Sequence, residues 1–160
     1  MFVTFRTSAK RIISHHIRSV SAAAPGETNL DKLLATMSPA LDPETYVFCT
    51  VPSMPPNMDK PRMIFQEAEG VTLIVNKEQA EKHDIKYEYP CRMITLNVHS
   101  SLEAVGFLAR ITNHLASNQK LSVNAVSAFY HDHLFIPNDR AEDAMRGLQE
   151  IIQEARDKSS

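Results

Sequence analysis

Two stretches of this 160-residue chain bring together side chains able to do chemistry. The first is His99-Ser100-Ser101-Leu102-Glu103-Ala104-Val105-Gly106. It lies between an alternating apolar run and a helical one, so it reads as a strand-to-helix turn. Ser100 or Ser101 can cap that helix, whose unpaired first amides and positive dipole end attract a carboxylate. Gly106, read as lying in the first turns, costs about 1 kcal/mol against alanine there. Either a ligand approaches the backbone closely at this glycine or the helix packs tightly. The second stretch is Tyr130-His131-Asp132-His133. On a strand, His131 and His133 share one face and Asp132 takes the other. The two histidines, with His99, could ligate zinc and support metal-dependent hydrolysis. In a turn, Asp132 would bond backbone amides instead. No HExxH motif or matching acid cluster accompanies them, so no metal is assigned. Ser100 and Ser101 lack the surroundings of a nucleophile elbow, so no catalytic residue or cofactor is assigned either.

The elements that must position these residues follow from periodicity. Ile94, Leu96 and Val98 alternate with polar residues, as in a half-buried strand. Leu102, Val105, Leu108, Ile111 and Leu115 then form one apolar stripe, predicting a helix that begins near Leu102. Residues 121–130 and 131–136 are rich in Val, Phe, Tyr and Ile and read as strands. The order strand, helix, strand, strand is most of a ferredoxin-like unit. Residues 138–156 close the chain as an amphipathic helix. Upstream, Thr28 or Asn29 caps a short helix through Met37, stopped by Pro39 and Pro43. Residues 46–51 read as a strand, 51–61 as a proline-rich loop, and 62–66 with 71–75 as a hairpin. A short helix at 77–83 and a linker or edge strand at 84–90 complete a smaller α+β unit.

Residues 1–26 differ in composition. Arg6, Lys10, Arg11 and Arg18 precede the first acid, Glu27, and Phe2, Phe5, Ile13, Ile17 and Val20 can share a helical face. Such a segment reads as a mitochondrial presequence, with a disordered basic tail of a cytoplasmic protein as the alternative. The remainder carries thirteen Lys and Arg against nineteen Asp and Glu, a net of about −6, which argues against nucleic acid as a partner. No apolar run approaches the roughly 18 residues of a membrane span. Cys49 and Cys91 lie on predicted strands without a CxxC pairing and read as buried free thiols.

The segments Gly106-Phe-Leu-Ala, Leu115-Ala and Leu121-Ser-Val-Asn-Ala-Val-Ser-Ala-Phe-Tyr-His-Asp132-His-Leu-Phe-Ile-Pro resemble the ACT domain, in the variant of CASTOR-type arginine sensors and small bacterial tandem-ACT proteins. Tyr46-Val-Phe-Cys-Thr-Val and Phe65-Gln-Glu-Ala-Glu-Gly-Val-Thr-Leu-Ile resemble the divergent ACT-like partner that precedes it. The likeness runs from about residue 41 to 152. It implies an α+β fold of two ACT-like units in tandem, at 27–89 and 90–156, the second a ferredoxin-like sheet with helices on one face. It also implies a non-catalytic regulatory module that binds a small amino acid or related carboxylate at an interface between units. Gly106 falls where those sensors place a glycine beside the ligand. Ala128, Phe129 and Asp132 fall on their ligand segment, where the family has threonine, an aromatic and aspartate. With the turn residues His99, Ser100, Ser101 and Val105 they make up the expected ligand site. A sheet with one uncovered face implies a homodimer or a partner enzyme; a pure protein-interaction module is the remaining alternative.

Overall fold

The computed structural model describes residues 25–159. The elements run α1 (Leu30–Thr36), β1 (Ser38–Val51), β2 (Met63–Gln66), β3 (Val71–Asn76), α2 (Lys77–Lys82), β4 (Glu88–Asn97), α3 (Phe107–Asn118), β5 (Asn124–Ser127), β6 (Asp132–Pro137) and α4 (Ala141–Ser159). Asn29 caps α1, its side chain accepting from the Lys32 amide at 2.9 Å. The strands form one antiparallel, curled six-stranded sheet in the order β2-β3-β1-β4-β6-β5. No helix of the described residues is long and apolar enough to cross a membrane.

Several boundaries differ from the periodicity reading. β1 starts at Ser38, so Pro39 and Pro43 lie inside a strand. They are tolerated because β3 pairs only with Tyr46 onwards, which leaves the first half of β1 an edge, and the register shifts between Leu41 and Thr45. The expected linker at 84–90 ends in a central strand, β4, which starts at Glu88 and is flanked by β1 and β6. β5 is shorter than expected because Leu121 leaves the strand path and buries among the helices.

Alternation along the strands sorts the core. Ile94, Leu96, Leu134 and Ile136 meet Leu33, Met37, Phe107, Ile111, Leu115, Leu148 and Ile151 from α1, α3 and α4. On the same face, Val47, Cys49, Leu73 and Val75 pack with Ala80 of α2. The opposite face contributes Tyr46, Ile74, Cys91, Met93 and Phe135, and among the described residues no helix joins that cluster. The curl encloses it: the Phe135 ring meets Tyr46 and Phe48 edge-on at 6.2 and 5.6 Å. Burial of a side chain such as Phe135 contributes about 1.5–3 kcal/mol.

Both ferredoxin-like units use the two central strands. β1, β2, β3, α2 and β4 give the local order β4-β1-β3-β2. β4, α3, β5, β6 and α4, completed by the first half of β1, give β1-β4-β6-β5, the same pattern. Where the second unit has α3 between its first and second strands, the first has only the loop of residues 52–62.

Candidate functional site

After β4 the chain does not enter its helix directly. Ser101 Oγ accepts from the Glu103 amide at 3.1 Å and the Ala104 amide bonds the Ser101 carbonyl at 2.9 Å. This local turn competes with helix formation over residues 102–105. Gly106 then turns the chain at φ +88° and forms the N-cap of α3. The helix therefore begins at Phe107, not near Leu102, and its buried positions are Phe107, Ile111, His114 and Leu115. Leu102 and Val105, expected on the stripe, are 70% and 85% exposed. Gly106 is required by its left-handed backbone; an added Cβ would lie 3.6 Å from Leu30 Cδ2, on the α1 side.

The cap supplies no side chain to the helix, and no acid lies in the first turn. The amides of Phe107, Leu108 and Ala109 have no acceptor among the described residues, which is the ordinary condition of a helix start open to an anion. Opposite them stands Asp132, the first residue of β6. It is only 7% exposed. Its Oδ2 accepts from Ser100 Oγ at 3.4 Å, and no described residue bonds its Oδ1. Between helix start and carboxylate lies a cavity of about 170 Å³, lined by Ser100, Ser101, Gly106, Phe107, Ala128 and Asp132 among others.

Five of the eight residues expected at the site thus converge: Ser100, Ser101, Gly106, Ala128 and Asp132 line this cavity. His99 and Phe129 line an adjoining one of about 270 Å³ with Ser100 and Ser101. Val105 lines neither of these and points to solvent. Sequence reasoning missed Ser127, at the end of β5, and placed the open first-turn amides near Leu102 instead of at Phe107. A glycine placed directly before an apolar Phe107 was the available signal for the true helix start.

A strap from the N-terminal side fixes the loop. Glu27 pairs with Ser100 in a parallel bridge; its amide donates to the His99 carbonyl and its carbonyl accepts the Ser101 amide, both at 2.9 Å. Gly26 lies so close that a Cβ would fall 2.4 Å from the Ser101 nitrogen. Pro25 and Gly26 line the adjoining cavity, while residues 1–24 of the expected presequence lie outside the described residues. Glu27 is anchored in turn by Lys32 at 2.5 Å and by the Thr28 and Asn29 amides, which pull its carboxyl down to about 2.

The zinc reading fails on geometry. Among the described residues no group of three His, Cys, Asp or Glu could hold a metal. β6 starts at Asp132, so His131 belongs to the turn, with Nδ1 3.4 Å from the Val98 carbonyl. His133 points to the opposite face from Asp132, its Nδ1 3.0 Å from Thr95 Oγ1. Burial there, with the charges of His131 and Arg62, pushes the His133 pKa below its ordinary value. The His99 ring rests on Tyr130, with centroids 5.8 Å apart. A wider groove of about 860 Å³ runs beside Phe48, Cys49, Thr50 and residues 85–88. It lacks a buried charge, and burial raises the Cys49 pKa, so it is a poorer candidate for chemistry.

The chain matches models of the ACT domain twice, over residues 25–92 and 88–150, the overlap falling on β4. A search of curated proteins finds no significant match. Among solved structures it is similar to a Vibrio cholerae protein described as of unknown function and a possible transport protein, with 37% identity over 77% of this chain and 95% of that one, and a TM-score of 0.69. An Agrobacterium tumefaciens protein shares the fold at 14% identity, covering 72% of this chain and 89% of that one with a TM-score of 0.62. The ligand-free regulatory subunit of aspartate kinase from Thermus thermophilus shares it at 14% identity, 74% and 97% coverage and a TM-score of 0.54. The chain belongs to the ACT-domain family, as a tandem ACT protein whose two regulatory, non-catalytic units share the central strands of one sheet.

Proposed function

We propose that this protein is a sensor that binds a free amino acid, or a related small carboxylate, between Asp132 and the start of α3. The observation that carries the reading is the pairing of a nine-tenths buried carboxylate with unbonded helix amides across one small cavity. The two charges of a zwitterion match these two walls: the carboxylate meets the amides and the ammonium meets Asp132. A carboxylate ligand without an ammonium would use only the amide wall and leave the Asp132 charge without a counter-charge, so the zwitterion is the better match.

Leu102, Val105, Phe129 and Tyr130 are exposed on the loops of residues 99–106 and 128–131, which border the cavity. An apolar rim of this kind supports closure of the site by a second ACT unit, in a homodimer or on a partner enzyme. Import into the mitochondrial matrix is proposed on the composition of residues 1–26. Processing would have to leave Glu27 in place, because its backbone bonds the site loop.

The test is a thermal-shift screen of the twenty amino acids against the purified full chain. A ligand at a hundred-fold excess over Kd stabilises by about 2.7 kcal/mol, a shift of several degrees. If none of the twenty raises the melting temperature, the reading falls and a pure interaction module takes its place.

A further inference from the structure

A free strand edge exposes unpaired backbone groups that invite pairing with another chain, and proteins guard such edges with charge or proline. The free half of β1 contains Pro39 and Pro43. β5, at one end of the sheet, exposes no large apolar side chain. β2, at the other end, is different. It pairs only with β3 and reads Met63-Ile64-Phe65-Gln66, with neither charge nor proline. Ile64 and Phe65 are 55% and 60% exposed. We infer that β2 is the docking edge for a second copy of this chain, pairing antiparallel with its own counterpart about a two-fold axis at Phe65. This association stands apart from the amino-acid reading.

The register follows from hydrogen bonds already made. The β2–β3 hairpin closes with the Glu67 amide on the Gly70 carbonyl at 2.8 Å. Backbone groups alternate in direction along an antiparallel strand, so Met63, Phe65 and Glu67 turn theirs to β3 while Ile64 and Gln66 turn theirs outward. A two-fold axis perpendicular to the sheet sets each residue opposite one on the same face. Within β2, only Phe65 opposite its own copy gives both outward residues a partner: Ile64 pairs with Gln66 of the second copy, and Gln66 with its Ile64. The two Phe65 residues then form a non-hydrogen-bonded pair, where side chains lie closest and aromatic contacts stabilise a sheet.

Charge agrees with this direction. Lys60 and Arg62 precede the strand, and Glu67 and Glu69 follow it. An antiparallel pair therefore sets the basic end of each copy against the acidic end of the other, an attraction that needs no specific ion pair. In strand order β2 lies at the far end of the sheet from β5 and β6. The pairing thus joins two six-stranded sheets edge to edge and leaves the apolar rim at Leu102, Val105 and Phe129 open to a different partner.

The experiment is sedimentation velocity of the full chain and of Phe65→Lys, with oxidative cross-linking of Phe65→Cys and Ile64→Cys. A four-residue edge is short against the roughly 1,200 Å² of a standard interface, so the parent is expected to form a dimer that dissociates on dilution. Phe65→Lys places like charges on the axis and is expected to weaken association about ten-fold or more. Its circular dichroism should match the parent's, because the ring it replaces is mostly exposed. A non-hydrogen-bonded pair holds its Cα atoms about 4.5 Å apart, inside the roughly 4.4–6.8 Å that a disulfide spans. Phe65→Cys is therefore expected to cross-link to itself under mild oxidation, and Ile64→Cys, with no copy of itself opposite, is not. The native Cys49 and Cys91 are buried and do not compete. Should Phe65→Lys misfold, the two cysteine variants decide alone. A parent that stays monomeric at its highest soluble concentration would overturn the inference. So would equal cross-linking of the two cysteine variants, or a dimer untouched by Phe65→Lys, which would move the interface to another surface.

Discussion

Ser100 Oγ donates to Asp132 Oδ2 at 3.4 Å, and this contact joins the loop that leaves β4 to the first residue of β6. It leaves one oxygen of a nearly buried carboxylate directed at the cavity. The bond is long and therefore weak. Under the proposed function, a ligand ammonium at that oxygen makes the stronger, charge-assisted contact. The proposed site is therefore assembled from two neighbouring strands of one unit and the helix that follows the first of them.

Gly106 fixes where that helix starts. Its φ of +88° excludes side chains on backbone grounds, although space for a Cβ exists beside Leu30. Gly106→Ala is expected to cost about 1–2 kcal/mol, with Gly106→Asn less affected because asparagine tolerates the left-handed region. Denaturant midpoints of the two variants check the ranking.

The strap is a separate support. Gly26→Val forces a side chain into the Ser101 backbone and is expected to cost about 1–3 kcal/mol. Because the damage is local, hydrogen exchange at the Ser101 amide, which bonds the Glu27 carbonyl, should accelerate more than exchange in α4.

His133 makes stability depend on pH. Its folded pKa lies below the ordinary 6.5, first through burial and then through His131 and Arg62. As pH falls through that ordinary value the unfolded chain takes up the proton first, so this contribution is present at neutral pH and lost in acid. The parent's denaturant midpoint should fall more between about pH 7.5 and pH 5.5 than that of His133→Gln.

The thiols are inert in the native state. Cys91 is fully buried, its Sγ 3.3 Å from the Tyr46 carbonyl, and burial pushes its pKa up to about 12. Cys49 is raised for the same reason. A thiol reagent at pH 8 should modify neither cysteine in the native protein within minutes and both after urea is added.

Much of this was legible in the residues. Alternation at Ile94 and Leu96 marked β4, and the stripe through Ala144, Leu148, Ile151 and Ile152 marked α4, because one-sided burial imposes a period. Asp132 and Gly106 were expected to lie near one another, and both line one cavity. The start of α3 was misread because Leu102 and Val105 continue the helical spacing by chance, while the turn at Ser101 and the left-handed Gly106 break it. Pro39 and Pro43 were read as stops because only strand pairing reveals that one side of β1 is free there. The sharing of β1 and β4 by both units is a property of the assembled sheet, and no local pattern encodes it.

The most direct measurement is calorimetry of the parent and Asp132→Asn with the amino acid that gives the largest thermal shift. Removing the charge while keeping the shape should weaken binding about ten- to a hundred-fold, the loss of one charge-assisted bond. His131→Ala should bind like the parent, since among the described residues that ring bonds only the Val98 carbonyl. Asp132→Asn binding with the parent's affinity, and His131→Ala failing to bind, would contradict the site described here.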